Sequence, residues 1–121
     1  MEKDLISAIF PCYNVAKFLP DLFESLEKMD YENVEYIFVN DGSKDDTLEL
    51  LKTFCQNKSN CQVVDQENQK LCMARNNGLK AAKGKYIWFC DPDDIPSPHI
   101  LSVLFENMVE HNADISICGY K

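Results

Sequence analysis

The chain has 121 residues, of which 45% are apolar, so it can build one hydrophobic core of ordinary domain size. Its formal net charge of −8 argues against nucleic acid as the main partner, because phosphate backbones are bound by clustered Lys and Arg. No run approaches the roughly 20 apolar residues of a membrane span, and no signal-peptide core follows the charged N-terminus. We therefore expect a single cytoplasmic domain over residues 1–121.

Six cysteines are scattered along the chain without a CxxC pair. Several of them lie among apolar residues, whereas disulfide-stabilised domains space their cysteines in compact frameworks, so we expect reduced and mostly buried thiols. With only two histidines, the composition also disfavours a tetrahedral zinc site of Cys and His.

Short apolar runs and helical spacings alternate along the whole chain. Apolar runs that end at a proline or a polar turn predict strands at 5–10, 36–39, 62–65, 86–90 and 115–118. Apolar residues three and four positions apart predict helices at 19–29, 47–55, 71–82 and 98–108. This alternation predicts an α/β fold with a mainly parallel sheet, right-handed crossovers and helices on both faces.

Two of the helices begin with capping signals. Asp46 and Glu49 have the spacing of a capping box at the start of the second helix, and Asp45 is also expected to cap this helix rather than to contact a ligand. Ser97 followed by Pro98 predicts the cap and the first residue of the fourth helix.

The acidic turn at 90–94 follows an apolar run that is expected to form a buried strand, and the turn points to a metal site. The carboxylates of Asp91, Asp93 and Asp94 repel one another unless a cation or a ring of donors lies among them. Oxygen ligands of this kind suit Mg²⁺ or Mn²⁺. The alternative is that these acids cap the helix that begins near Ser97, although that helix already has Ser97 as its cap.

Two further turns offer groups that suit a nucleotide. Tyr13, after the first strand, can stack on a flat base, whereas the alternative is a plain turn in which Asn14 caps the next helix. Asp41 can accept a hydrogen bond from a base N–H or a ribose hydroxyl, and Gly42 allows close approach, although both are also common turn formers. Arg75, the only arginine, can meet a phosphate, orient a carboxylate of the acidic turn, or lie on the surface. Ligands of open α/β sheets bind beyond the carboxyl ends of the strands, so these turns are expected to face one crevice.

Four motifs in family order resemble glycosyltransferase family 2, the inverting nucleotide-sugar transferases with the GT-A fold. They lie at 10–14, at 39–43 with Asp46 and Thr47, at 74–79, and at 90–94 followed by Pro98. The resemblance implies that residues 1–121 form a Rossmann-like nucleotide-binding half of a longer protein. The implied activity is metal-dependent transfer of a sugar from a nucleotide-diphosphate sugar, expected to be a UDP-sugar, to a saccharide, lipid-linked or other hydroxyl acceptor.

The same resemblance implies roles for individual residues. Nucleotide contacts are implied for Pro11, Cys12, Tyr13, Asn14, Asp41, Asn68, Arg75 and Asp91. Asp91 and Asp93 would form the DxD motif, in which Asp93 is a direct ligand of Mn²⁺ or Mg²⁺ and Asp91 lies nearer the ribose or a metal-bound water. Arg75 would support the acidic turn or the donor.

The chain departs from the family pattern at three places. Asn40 stands where members commonly have a second acid, and Gln69 and Lys70 stand where a glycine is usual. The catalytic base is carried in a later half of family members, so we expect it beyond Lys121. The isolated chain is therefore expected to bind the donor but to transfer sugar poorly, and the full-length protein to work in the cytoplasm or at the inner membrane face.

Other classes remain as alternatives. A nucleotide-sugar-binding module without transferase activity would share the same residues. A phospho-acceptor signalling domain is disfavoured because the first turn, 11–14, contains no acid, and a nucleotidyltransferase is disfavoured because that turn is not glycine-rich and has no lysine.

Overall fold

A computed structural model describes residues 4–67, 70–94 and 96–110. Strands and helices alternate as predicted, with a single 3₁₀ turn, Ala16–Phe18, before the first helix. The elements are β1 (Ile6–Cys12), α1 (Leu19–Glu27), β2 (Val34–Asp41), α2 (Thr47–Cys55), β3 (Cys61–Gln66), α3 (Lys70–Ala81), β4 (Tyr86–Phe89) and α4 (Ile100–Glu110). The strand predicted at 115–118 lies outside the described residues.

The four described strands form one parallel sheet in the order β3-β2-β1-β4. Ile9 of β1 pairs with Ile37 on one side and with Phe89 on the other. The chain therefore builds outwards from β1 to β3 and then returns to add β4 on the opposite side of β1. This reversal creates a switch point between β1 and β4, where ligands of open α/β sheets bind.

Helices cover both faces of the sheet, as the sequence predicts. On one face, Phe10 stacks on Phe38 and meets Trp88 edge-on. Residues from α1, α2 and α4 join this cluster, including Leu22, Leu51 and Leu101, which are fully buried. On the other face, α3 packs through Ala74 on Ile9, Ile37 and Val39. The α/β class with helices on both faces is thus confirmed.

Gly78 lets α3 lie unusually close to the sheet. A Cβ atom at this position would stand 2.4 Å from Cγ2 of Ile9 and 3.3 Å from Cγ2 of Val39. Any other residue would push the helix away from β1 and β2, because protein interiors have no spare volume at such a contact. The close approach brings Asn77, next along the helix, within reach of the strand ends.

The start of α4 is held to the loop after α1. Asp30 Oδ2 lies 2.6 Å from Nδ1 of His99, and Asp30 Oδ1 accepts a 2.7 Å hydrogen bond from the hydroxyl of Ser102. The helix begins at Ile100, two residues later than predicted, and Ser97 closes the preceding turn by accepting the N–H of His99 at 3.3 Å. Within the described part, no helix is long and apolar enough to cross a membrane.

Candidate functional site

The described strands end at the same edge of the sheet, and three polar turns leave from that edge. They follow β1, β2 and β4, so they flank the switch point between β1 and β4. The first turn begins at Tyr13, the second covers 42–46, and the third is the acidic turn at 90–94. The candidate site is therefore assembled from segments that are distant in sequence but adjacent in space.

Asn14 joins the first turn to the second. Its backbone N–H donates to Oγ of Ser43 at 3.0 Å, and its Oδ1 accepts the N–H of Lys44 at 2.8 Å. It adopts a positive φ of 52°, a conformation that Asn tolerates better than most residues. The alternative in which Asn14 caps the next helix is wrong, because neither the 3₁₀ turn nor α1 has a side-chain cap.

The Asp45 carboxylate accepts hydrogen bonds from both of these turns. Its Oδ1 accepts the N–H of Thr47 at 3.0 Å and the Thr47 hydroxyl at 2.5 Å, and its Oδ2 accepts the N–H of Ala16 at 3.2 Å. The Thr47 oxygen in turn accepts the N–H of Val15 at 3.0 Å. Burial alone would raise the pKa of Asp45, but these hydrogen bonds outweigh it and lower that pKa below its usual value.

The predicted capping box at the start of α2 is wrong in its choice of acid. Asp46 occupies the N-cap position, but its side chain makes no capping hydrogen bond. Asp45 satisfies the free N–H of Thr47 instead. The prediction that Asp45 serves the helix start is confirmed, and the same carboxylate also holds the first turn in place.

The side chains at positions 11–14 form a buried pair and an exposed pair. Pro11 and Cys12 are buried at the end of β1, where burial, followed by the proximity of Cys90, raises the pKa of the Cys12 thiol. Tyr13 and Asn14 are exposed, and 46% of the Tyr13 surface is open to solvent. The Tyr13 ring is thus the surface of this turn on which a base could stack.

Asp41 lies at the end of β2 and is only 5% exposed. Its Oδ1 accepts a 2.8 Å hydrogen bond from Nε2 of Gln66, and Oε1 of Gln66 accepts a short hydrogen bond from Nδ2 of Asn77. Gln66 is not among the predicted site residues, because the predicted third strand ends at residue 65 whereas β3 ends at Gln66. Asn77 is part of the motif predicted at 74–79, and its contact with Gln66 depends on the register of β2 and β3, which the sequence does not reveal.

Asn40 has a different environment from its neighbour Asp41. Its Nδ2 donates to Oδ1 of Asp65 at 2.8 Å, while its own Oδ1 is buried without a hydrogen-bond partner among the described residues. An acid at this position would face the Asp65 carboxylate. The amide therefore suits this pair of strand ends better than a second acid would.

The acidic turn brings three carboxylates together. Oxygen atoms of Asp91, Asp93 and Asp94 lie within 4.8 Å of one another, and all three side chains are exposed. Burial, followed by the neighbouring charges of these acids, raises the pKa of the adjacent Cys90 to about 12. In the turn before α4, Ser97 accepts the N–H groups of His99 and Ile100, as expected if Ser97 rather than one of these acids serves the start of the helix. This oxygen-rich cluster has the donor chemistry that Mg²⁺ and Mn²⁺ prefer.

Arg75 connects α3 to the acidic turn. Its Nη2 lies 3.9 Å from Oδ1 of Asp91, and its guanidinium carbon lies 5.8 Å from the centre of the Phe89 ring. Its Nε is buried and has no hydrogen-bond partner within the described ranges. Of the predicted nucleotide contacts, Asn68 lies outside the described residues.

Comparisons with known proteins agree on one family. Residues 7–121 match the model described as "Glycosyl transferase family 2". The glycosyltransferase GlyG of Streptococcus pneumoniae is 36% identical over 119 residues, which cover 98% of this chain and 40% of GlyG. The minor teichoic acid biosynthesis protein GgaB of Bacillus subtilis is 36% identical over 114 residues, covering 92% of this chain and 13% of GgaB.

The structure of S. aureus TarS 1-349 in complex with UDP-GlcNAc superimposes with a TM-score of 0.82 and 30% identity. The superposition covers 96% of this chain and 36% of the TarS chain. The chain therefore spans 40% or less of the length of these relatives. The likeness confirms the predicted GT-A type of α/β fold, and together with the family match it establishes that the chain belongs to glycosyl transferase family 2.

Proposed function

We propose that this chain is the donor-binding half of an inverting transferase that moves a sugar from a UDP-sugar to a hydroxyl acceptor. The observation that carries the proposal is the meeting of three turns at the switch point of a parallel sheet. One turn presents the Tyr13 ring, one strand end presents Asp41, and the third turn presents the acidic cluster. These groups suit the base, the nucleoside and the metal-bound diphosphate, respectively.

The nucleoside is assigned to the side of the site formed by the first two turns. Tyr13 offers an exposed aromatic ring for stacking, and Asp41 offers a carboxylate that can accept a base N–H or a ribose hydroxyl. Hydrogen bonds from Asn14 to Ser43 and Lys44 join the turn that follows Tyr13 to the turn that follows Asp41. Further support comes from the relative TarS, whose structure is described as a complex with UDP-GlcNAc.

The diphosphate is assigned to the acidic turn, where it needs a cation. In a chain of net charge −8, three clustered carboxylates would repel phosphate groups unless a divalent ion lay between them. We assign Asp93 as a direct ligand and Asp91 as a ligand or a contact to the ribose. A bound Mn²⁺ or Mg²⁺ would act as a Lewis acid that neutralises charge on the departing diphosphate.

The acceptor and the catalytic base are assigned to the remainder of the parent protein. Inverting transfer requires a base that deprotonates the acceptor hydroxyl as it attacks the sugar carbon. We place this base beyond Lys121, as the sequence resemblance implies. The name of GgaB, a teichoic acid biosynthesis protein, supports an acceptor that belongs to a cell-surface polysaccharide, and we propose that the transfer takes place at the cytoplasmic side of the membrane.

Calorimetric titration of UDP into this chain tests the proposal. Binding is expected in the presence of Mn²⁺ and is expected to disappear in EDTA. Asp93→Ala should abolish the metal-dependent part, whereas Asp21→Ala, which removes an exposed acid from the first turn of α1, should behave as the wild type. No UDP binding by the wild type in either condition would contradict the proposal.

A further inference from the structure

We propose that Gln66 and Asn77 are positioning residues that hold the Asp41 carboxylate in the orientation in which it receives the N–H of the base. This inference rests on the proposed function, because it assumes that a nucleotide binds at Asp41. It goes beyond that function by naming the residues through which the chain selects one base over another.

Gln66 is the direct neighbour of Asp41 across the sheet. The two residues are register partners in the parallel pair of β2 and β3, so their side chains lie on the same face. Nε2 of Gln66 donates to Oδ1 of Asp41 at 2.8 Å. Because Asp41 is only 5% exposed, this hydrogen bond replaces water that the carboxylate would otherwise have.

Asn77 fixes the direction of the Gln66 amide. A carboxylate only accepts hydrogen bonds, so Gln66 must turn its NH₂ group toward Asp41 and its oxygen away. That oxygen, Oε1, accepts from Nδ2 of Asn77, which satisfies the other end of the amide. The charge of Asp41 therefore determines the donor-to-acceptor direction of both hydrogen bonds, from Asn77 to Gln66 and from Gln66 to Asp41.

The packing of α3 makes this chain of hydrogen bonds possible. Gly78 lets the helix approach β1 and β2, because a Cβ atom added at this position would lie only 2.4 Å from Cγ2 of Ile9. Asn77, immediately before Gly78, thereby reaches the end of β3. Asn40 and Asp65 project from the opposite face because side chains alternate along a strand, so their hydrogen bond is a separate contact.

A carboxylate with a fixed orientation distinguishes bases by their donors. Uracil presents an N–H group at N3, which a carboxylate can accept, whereas cytosine presents a lone pair at N3, which a carboxylate repels. Discrimination of this kind is strong when the protein group is buried and cannot turn away. We therefore expect the chain to prefer UDP over CDP, and we expect the preference to depend on Gln66 and Asn77.

The test compares UDP and CDP binding by calorimetry in Gln66→Glu, with Gln62→Glu as the matched control four residues earlier on β3. In Gln66→Glu the introduced carboxyl faces Asp41, so UDP affinity relative to the wild type should fall at least about tenfold at neutral pH. It should recover at mildly acidic pH, where the introduced group is protonated and can donate as Gln66 does. Gln62→Glu should show neither effect, since Gln62 contacts the Ala81 carbonyl instead.

Asn77→Asp provides an independent test at a half-buried helix position. The introduced carboxylate would repel Oε1 of Gln66 and draw its NH₂ group away from Asp41, so the preference for UDP over CDP should shrink. Asn57→Asp, at an exposed turn, makes the same chemical change and serves as the control. Circular dichroism verifies that each variant is folded.

The outcomes separate this inference from the function on which it rests. If folded Gln66→Glu and Asn77→Asp bind and discriminate the nucleotides as their controls do, the positioning role is overturned while the donor site stands. If both nucleotides weaken equally and acidic pH restores nothing, the role of Gln66 is only structural and the inference is again overturned. If the wild type binds neither nucleotide, the proposed function fails and this inference fails with it.

Discussion

The guanidinium of Arg75 lies 3.9 Å from the carboxylate of Asp91, with the two side chains 41% and 52% exposed. An ion pair so open to solvent contributes at most about 1 kcal/mol to stability. The Nε of Arg75 is buried without a hydrogen-bond partner in the described part of the chain, a state that costs about 1–3 kcal/mol. Arg75 therefore contributes little to the free energy of unfolding. Its Nε–H group, which has no partner in the described part of the chain, favours a role in ligand binding.

We expect Arg75→Met to leave the free energy of unfolding within about 1 kcal/mol of the wild type, or to raise it. The same variant should weaken UDP binding about tenfold or more, because a charged hydrogen-bond donor is lost. Urea unfolding and calorimetry measure the two effects. Lys85→Met, which removes a charge from the surface ion pair with Asp4, is the control. A large loss of stability with unchanged UDP affinity would contradict the prediction.

The sequence predicts the two central strands well because β1 and β2 are buried on both faces, which requires nearly continuous apolar runs. It ends the first two strands too early, at residues 10 and 39, whereas β1 continues to Cys12 and β2 to Asp41. The additional residues of β2, Asn40 and Asp41, are polar and lie at the edge of the sheet that carries the candidate site, while their backbone still pairs with β3. Hydropathy reflects side chains and not backbone pairing, so a strand predicted from hydropathy ends where the polar candidate residues begin.

The sequence also places the candidate residues at one edge of the sheet but does not reveal how they contact one another. The Asp41–Gln66 hydrogen bond depends on the register of β2 and β3. The links from Asn14 to the second turn depend on the order of the strands. Local spacing encodes neither register nor strand order. The capping-box prediction is wrong for a related reason. Asp45, and not Asp46, accepts the N–H of Thr47, and Asp45 also accepts the N–H of Ala16, which is distant in sequence.

Gly78→Ala is expected to destabilise the protein. The added methyl group would stand 2.4 Å from Cγ2 of Ile9, and overpacking of this kind costs about 1–3 kcal/mol. The higher helix propensity of alanine returns about 1 kcal/mol, so the net loss should be up to about 2 kcal/mol. Urea unfolding measures it. In an Ile9→Ala background the same substitution should be neutral or stabilising, because the obstructing atom is gone, and a cost unchanged by that background would refute the steric explanation.

Asp45 is expected to make stability depend on pH. Hydrogen bonds from Thr47 and Ala16 outweigh burial and lower the pKa of Asp45 in the folded state. A carboxyl group whose pKa is lower in the folded than in the unfolded chain stabilises the fold above its unfolded value of about 3.9. That contribution is lost as pH falls through the lower, folded value.

We therefore expect Asp45→Ala to lose about 1 kcal/mol of stability at neutral pH, a typical value for a lost helix cap. The difference from the wild type should shrink as the pH is lowered through the range in which Asp45 takes up its proton. Asp46→Ala removes the same charge one residue later, where no capping hydrogen bond exists, and should change stability little. Urea unfolding across this pH range measures the effect. A loss in Asp45→Ala that is independent of pH would argue against the assigned hydrogen bonds.

Cys55 is expected to be the most reactive of the four cysteines described as free thiols. Burial raises the pKa of Cys12 and Cys90, so both stay protonated and shielded. A hydrogen bond from Cys61 lowers the pKa of Cys55 and the charge of Lys58 lowers it further, while burial opposes both effects. The same hydrogen bond and burial raise the pKa of Cys61, so we expect the thiolate of this pair on Cys55.

Brief labelling with a maleimide at neutral pH, followed by peptide mass spectrometry, identifies the first thiol to react. Cys55 should be modified before the other three, because the thiolate is the nucleophile. Lys58→Met should slow the labelling, since the nearby positive charge is removed, whereas Lys52→Met, at an exposed position of α2, should not. Earlier modification of Cys12 or Cys90 would mean that the end of the sheet opens to solvent, and the packing of β1 against β4 would then have to be reconsidered.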